Sequence, residues 1–263
     1  MVKILEVNDL DYRDWQDVYL SFDSGKIYYI TGGNNSGKTT LFRMLAGLIK
    51  TSNCILCDNV LFNEYTKNKY VKKIGVVNRV NSQSFIYNRV IDEMAYPLYN
   101  LNYSKEEILT RINNTLSFFE LESFKKKNII DLNESEKQML LIMISLLHRP
   151  KVLLIDNALD LLKIKEKERI MEKLKLLVSD GLCIINFTNN LSSALDANRI
   201  IILNDFKIVK ELDSCDMFED DKIFYENNLE VPFICDINIK LRMYQLIDEK
   251  YLDMKELVDR IWQ

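Results

Sequence analysis

Residues 30–40 read Ile30-Thr31-Gly32-Gly33-Asn34-Asn35-Ser36-Gly37-Lys38-Thr39-Thr40, which satisfies G-x-x-x-x-G-K-[ST]. In that pattern backbone N–H groups cradle phosphates, the lysine reaches the β- and γ-phosphates, and the following hydroxyl ligates Mg²⁺. Gly32, Asn34, Asn35, Ser36, Gly37, Lys38, Thr39 and Thr40 are therefore the candidate phosphate-binding residues. A second acidic feature fits the same chemistry. Asp156 closes the apolar run Lys151-Val152-Leu153-Leu154-Ile155-Asp156, and a P-loop nucleotide hydrolase needs a carboxylate at the end of a buried strand to hold Mg²⁺. Thr39 and Asp156 form the candidate metal pair.

The flanks of the loop suit this role. Lys26–Thr31 is rich in aromatic and β-branched residues and reads as a strand. Leu41, Met44, Leu45 and Leu48 recur at helical spacing, so a helix starts where the loop ends. A helix N-terminus then faces the phosphates. Residues 2–30 read as short strands and turns around Tyr12, Trp15 and Tyr19, and residues 54–80 alternate toward a strand at Ile74–Val77. Residues 90–148 are mainly helical, with Ile108, Ile112, Leu116 and Phe119 on one face. Strand-like runs then resume at Val152–Asp156, Cys183–Thr188 and Arg199–Leu203, separated by helices as in a parallel sheet. Leu203–Phe206 reads as a hairpin turn, and from about residue 213 an acidic linker leads to two short helices.

The chain has 263 residues and a net charge of −4, which disfavours a general nucleic-acid binder. The lysine clusters at 67–73 and 125–127 read as solvated faces. The apolar run Met139–Leu147 is far shorter than the ~20 residues a membrane span needs, and no secretory signal opens the chain. Five cysteines form no framework, Cys54-x-x-Cys57 has no second pair, and the lone His148 reads as a surface residue. The expectation is a reduced, cytosolic protein. Only 7 glycines are present, so loops that approach a ligand must use other residues.

The large, mostly helical insertion between Lys38 and Asp156 makes the chain resemble the ATP-binding-cassette (ABC) ATPases. That resemblance implies an α/β P-loop NTPase fold. A RecA-like parallel sheet core, an antiparallel β subdomain and a helical subdomain (about 82–148) would make up residues 1–212. The segment 213–263, with Leu229-Glu230-Val231-Pro232-Phe233 and Met254-Lys255-Glu256-Leu257-Val258, resembles the dimerising C-terminal extension of energy-coupling-factor (ECF) ATPases. Ala158 leans toward the first of the two ECF ATPase types. The resemblance implies ATP and Mg²⁺ as ligands, a second ABC ATPase subunit (a different chain or a second copy), an integral membrane scaffold, no nucleic acid, and a cytoplasmic location on the inner face of the cell membrane. It also implies an aromatic residue stacked on adenine, Tyr12 or Trp15.

Several family positions are altered. The catalytic Glu is Asn157, the switch His is Asn189, the Q-loop Gln is Arg79, and the D-loop Asp is Lys163. Asn35 stands where a Gly is usual. The Leu-Ser-Gly-Gly-Gln signature becomes Leu132-Asn133-Glu134-Ser135-Glu136. Asn157 is neutral and a poor base, and losing a positioned base typically costs 10²–10⁴-fold. Asn189 can hydrogen-bond a γ-phosphate but lacks the acid–base range of imidazole. Arg79 offers only donors, and pairing with a nearby carboxylate is favoured over contact with phosphate. Glu134 would bring a carboxylate toward the partner's γ-phosphate unless it turns outward or Lys137 neutralises it. The expectation is nucleotide binding with weak or absent hydrolysis, either in an importer's energy-supplying subunit or in a non-hydrolysing pseudo-ATPase that regulates or stabilises a membrane assembly.

Overall fold

The computed structural model describes residues 2–51, 53–219 and 221–262. The chain opens with β1 (Lys3–Tyr12), β2 (Trp15–Asp23) and β3 (Ile27–Gly32). β1 and β2 are longer than the expected short strands, and Tyr12 pairs with Trp15 across their turn. The polar interruptions that read as turns are irregularities inside the strands: Asp9 and Asp17 take positive φ, and the register shifts between Val7 and Leu10.

Helix α1 (Lys38–Leu45) follows the loop. It stops one turn earlier than the spacing of Leu48 suggests. Gly47 adopts φ 68°, and the N–H groups of Gly47 and Leu48 return to Met44 O and Arg43 O. That is a Schellman stop, and it leaves Leu48 exposed. Next come β4 (Ile55–Cys57), β5 (Val60–Leu61), the short helix α2 (Lys67–Val71) and β6 (Ile74–Asn78). The helical segment contains α3 (Val90–Asn100), α4 (Lys105–Phe118) and α5 (Glu134–Leu146). Ser104 and Glu107 form a capping box on α4, whose Ile108, Ile112 and Leu116 are buried one helical turn apart.

β7 (Val152–Asp156), α6 (Ile164–Ser179), β8 (Cys183–Phe187), β9 (Arg199–Asn204) and β10 (Lys207–Leu212) complete the sheet. The β9–β10 turn is Asp205-Phe206, both at positive φ, as a tight hairpin requires. The tail carries α7 (Lys222–Glu226), α8 (Phe233–Met243) and α9 (Met254–Ile261), three helices where two were expected.

Two sheets result, an antiparallel one in the order β2-β1-β4-β5 and a six-stranded one in the order β10-β9-β3-β8-β7-β6. The latter is parallel except for β10. Its inner strands are apolar on both faces because both faces are covered. Ile27, Tyr29, Leu153, Ile155, Ile184, Ile200 and Ile202 face a core built with the helices. Tyr28, Ile30, Val152, Leu154, Ile185, Ile201 and Leu203 face a second core shared with α1 and the antiparallel sheet. The tail joins the first core through Met217, Phe218, Phe224, Leu229 and Cys235. Cys54 and Cys57 are buried in the second core, where burial pushes the Cys57 thiol up to about 12. His148 is not a surface residue. It is half-buried with Nε2 3.1 Å from Ile74 O, and desolvation lowers its pKa. No helix among the described residues is long and apolar enough to cross a membrane.

Candidate functional site

The parallel strands deliver their last residues to one edge. Asn78 pairs with Asp156, and Asp156 with Phe187. Gly32 ends β3 on the same edge, paired with Leu203. Arg79, Asn157 and Thr188-Asn189 each follow one of these strand ends, so residues far apart in sequence meet at the carboxyl edge where open α/β sheets bind ligands.

The loop after β3 is held from behind. A side-chain carbon on Gly32 would meet Leu203 O at 2.2 Å, so the chain passes there only as glycine. Gly37 caps α1 at φ 101°, and a carbon there would strike the Trp15 ring at 2.6 Å and Phe206 at 2.9 Å. Phe206 N–H donates to Ser36 O at 3.2 Å. Asn35 takes φ 64°, the left-handed conformation that asparagine tolerates better than other non-glycine residues. On the outer side, a carbon on Gly33 would lie 3.3 Å from Asn227 O, so the turn after α7 backs onto the loop.

Lys38 Nζ donates to Gly32 O at 2.7 Å, to Gly33 O at 2.8 Å and to Ser36 Oγ at 3.2 Å. The ammonium is thus folded back over the loop. Burial lowers its pKa, and the charge of Asp156 partly opposes that shift. Asp156 is half-buried, and desolvation raises its carboxyl pKa. The Asn157 amide, donating to Asp156 Oδ1 at 2.9 Å, and the charges of Lys38 and Arg43 pull it back.

Asp156 accepts no other hydrogen bond within the described protein, so its remaining lone pairs are available to a hard cation. No cluster of three or more His, Cys, Asp or Glu exists among the described residues. An all-protein cation cage is therefore not built here. One carboxylate, one exposed hydroxyl at Thr39 and phosphate oxygens make the sparse oxygen set that Mg²⁺ accepts.

The altered positions lie along the same edge. Asn157 has φ 48°, and its N–H donates to Phe187 O at 2.9 Å. Asn189 is exposed, with Nδ2 3.5 Å from Asn34 Oδ1 on the loop. Arg79 is exposed and makes no ion pair among the described residues, so the expected pairing with a carboxylate is not formed.

The signature-like residues form a separate cluster. Leu132 is buried, and Asn133 caps α5 in a reciprocal box with Glu136. Glu136 also takes Lys127 Nζ at 2.9 Å, and these bonds hold its pKa below the usual carboxylate value. Ser135 is buried. Its hydroxyl donates to Glu166 Oε2 and accepts Lys163 N–H at 3.1 Å. Glu134 is exposed at the first position of the helix and Lys137 does not pair with it. None of Leu132, Asn133, Glu134, Ser135 or Glu136 bonds to the phosphate loop of the same chain among the described residues.

Trp15 is fully buried beneath Gly37, with its ring edge-on to Phe206, and is unavailable for base stacking. Tyr12 is half-buried at the end of β1, with the Arg13 guanidinium 5.3 Å from its ring centre. Gln138, noted in the sequence only as family-like after the signature run, and Glu93, not singled out there, both fix the segment after β6. Fully buried Gln138 accepts Val80 N–H at 2.8 Å and donates to Asn78 O at 3.1 Å. Glu93 accepts the N–H groups of Ile86 and Tyr87. A polar residue on the apolar face of α5 was the available signal for Gln138, since buried amides are normally satisfied.

The family model described as ABC transporter matches residues 15–160. An Oenococcus oeni protein named energy-coupling factor transporter ATP-binding protein EcfA1 is 29% identical over 100% of this chain and 98% of its own length. A Leuconostoc mesenteroides protein of the same name is 27% identical over 98% of this chain and 97% of its own. Among solved structures, cbiO1 from Clostridium perfringens, part of the ABC transporter complex cbiONQ, superposes with a TM-score of 0.75 at 24% identity. It covers 89% of this chain and 98% of that one. The cassette MJ0796, in a dimer bound to ADP and Pi, gives a TM-score of 0.67 at 26% identity, covering 81% and 99%.

Proposed function

The chain belongs to the ABC transporter family, and from that premise we propose that it is the ATP-binding subunit of an ECF-type importer, with weak or absent hydrolysis of its own. The carrying observation is the loop Gly32–Thr40, closed over by Lys38 and set on the same sheet edge as Asp156. In this reading loop N–H groups and Lys38 hold the β- and γ-phosphates of ATP, and Tyr12 flanks the adenine. Thr39 and Asp156 hold Mg²⁺, which when bound supplies neutralisation of phosphate charge. Asn157 and Asn189 hydrogen-bond near the γ-phosphate without serving as base or acid.

The partners in this proposal are a second ABC ATPase, a different chain or another copy, and an integral membrane scaffold. The relatives' names as transporter ATP-binding proteins, cbiO1 as part of a transporter complex and the dimeric MJ0796 cassette support an assembly of this kind. The protein would sit peripherally on the cytoplasmic face of the cell membrane. Residues 1–212 would form the nucleotide-binding domain and residues 213–263 the dimerising extension. The exposed apolar residues Met243, Tyr244, Val258, Ile261 and Trp262 of the tail support that assignment.

A second reading is a pseudo-ATPase that binds nucleotide to stabilise or regulate a membrane assembly. The self-capped end of α5, with Glu134 in front of it, favours that reading because a carboxylate there opposes a partner's γ-phosphate. Calorimetric titration with Mg-ATP, followed by phosphate release from the purified chain, tests both. Binding that Lys38→Ala weakens about 100-fold supports the proposal. Absence of any ATP or ADP binding overturns both readings, and vigorous turnover abolished by Lys38→Ala overturns the claim of weak hydrolysis.

A further inference from the structure

Thr188-Asn189-Asn190, the turn that leaves β8, is pinned by one carboxylate from a different part of the chain. Asp160 lies on the single helical turn Leu159–Leu161 that follows β7. Its Oδ2 accepts the Thr188 hydroxyl at 3.3 Å and its Oδ1 accepts Asn190 Nδ2 at 3.2 Å. The two bonds bracket Asn189, whose side-chain amide faces Asn34 of the phosphate loop at 3.5 Å. Lys167 lies 3.4 Å from the same carboxylate and balances its charge. Asn190 Oδ1 meanwhile accepts Ser192 N–H at 3.0 Å, so its amide is committed at both ends. Thr188 is buried and its hydroxyl also accepts Asn190 N–H at 3.0 Å. The turn therefore has little freedom except through Asp160.

We propose that Asp160 is a positioning residue for nucleotide recognition. By holding Thr188 and Asn190, it sets the Asn189 amide at the rim of the phosphate loop beside Asn34, where in the nucleotide-binding reading a third phosphate would project beyond the second. Asp160 does not touch the nucleotide. It makes the loop distinguish a nucleoside triphosphate from a diphosphate, a distinction an unpinned asparagine would lose to its own rotational freedom. The inference rests on the nucleotide-binding reading above and adds the residue that confers selectivity.

The test is calorimetric titration of the full chain with Mg-ATP and with Mg-ADP. The wild-type chain is expected to prefer ATP. In Asp160→Ala the ATP affinity is expected to fall about tenfold, with ADP affinity changed less than about twofold. Asp160→Asn keeps an acceptor for Thr188 and recovers part of the preference. Asn190→Ala removes one bracket without changing charge and lowers the ATP-to-ADP ratio in the same direction. It also keeps the test decisive if Asp160→Ala folds poorly. Lys167→Ala removes only the ion pair and leaves the ratio within about twofold. If the wild-type chain binds neither nucleotide, the nucleotide-binding reading fails and the inference with it. If both nucleotides bind but equally, or if Asp160→Ala and Asn190→Ala weaken both alike, the inference alone is overturned.

Discussion

Asn157 donates its side-chain amide to Asp156 Oδ1 across 2.9 Å. In the proposed function Asn157 stands where the family's base would be, and its side-chain amide is spent on supporting the neighbouring carboxylate. A neutral amide takes no proton from water, so the pair can steady a cation-binding group without activating a nucleophile.

Restoring both altered groups should restore chemistry. Asn157→Glu combined with Asn189→His is expected to raise phosphate release about 10²-fold when the chain is purified with its partner subunits. A coupled phosphate assay reads the change. No gain in any assembly would favour the pseudo-ATPase.

The Mg²⁺ dependence of binding should carry the signature of Asp156. Burial raises its carboxyl pKa, and only the ionised form ligates a cation. The Mg²⁺-dependent gain in ATP affinity is therefore full above that raised pKa and lost as pH falls through it, sooner than for an ordinary aspartate near 3.9. Asn157→Ala removes an amide that favours ionisation, so the loss should begin at a still higher pH. For folding the sign is opposite to that of a salt-bridged carboxylate. The folded state binds this proton more readily than the unfolded one, so the charge costs stability at neutral pH and the cost is relieved on acidification. Asp156→Asn should accordingly raise the urea midpoint of the nucleotide-free chain at pH 7 while abolishing the Mg²⁺ effect.

Gln138 should act as a fastener of the segment after β6. Gln138→Leu leaves Val80 N–H and Asn78 O without their partner; Asn78 is exposed and water can replace its bond, whereas the half-buried Val80 N–H costs about 1–3 kcal/mol when orphaned. Urea unfolding should show a loss of that order, and amide exchange should accelerate at Val80 before it does elsewhere.

Asn238 should control the tail. Its side chain is fully buried, donates to Ile234 O at 2.7 Å and Tyr251 O at 3.0 Å, and accepts Tyr251 N–H at 2.8 Å. Asn238→Ala strips both backbone groups of Tyr251. Limited proteolysis should then cut between α8 and α9, and any self-association measured by ultracentrifugation should weaken while the phosphate loop stays intact.

Much of this architecture was legible in the residues themselves. The parallel strands announce themselves as continuous apolar runs because both faces are covered, and Ser104 with Glu107 marks a helix start through its spacing. The phosphate loop is legible because its glycines and lysine answer to local geometry. What stayed hidden depends on contacts between distant segments. Leu48 fits the helical period, yet Gly47 ends the helix before it. Asp160 looks like an ordinary loop acid until folding brings it to Thr188, 28 positions away. Arg79 carries a charge for which the fold supplies no counter-ion among the described residues.

Phe218, Phe224, Leu229 and Cys235 lie in the same core as the sheet, and the turn at Asn227 leans on Gly33. A shortened protein ending at Leu212, the natural cut for anyone wishing to study the cassette alone, would lose these buried anchors, Met217 with them, and the outer wall of its phosphate loop together. Weak ATP binding by such a fragment would report the surgery rather than the parent molecule. Experiments on this cassette are best done with its tail attached.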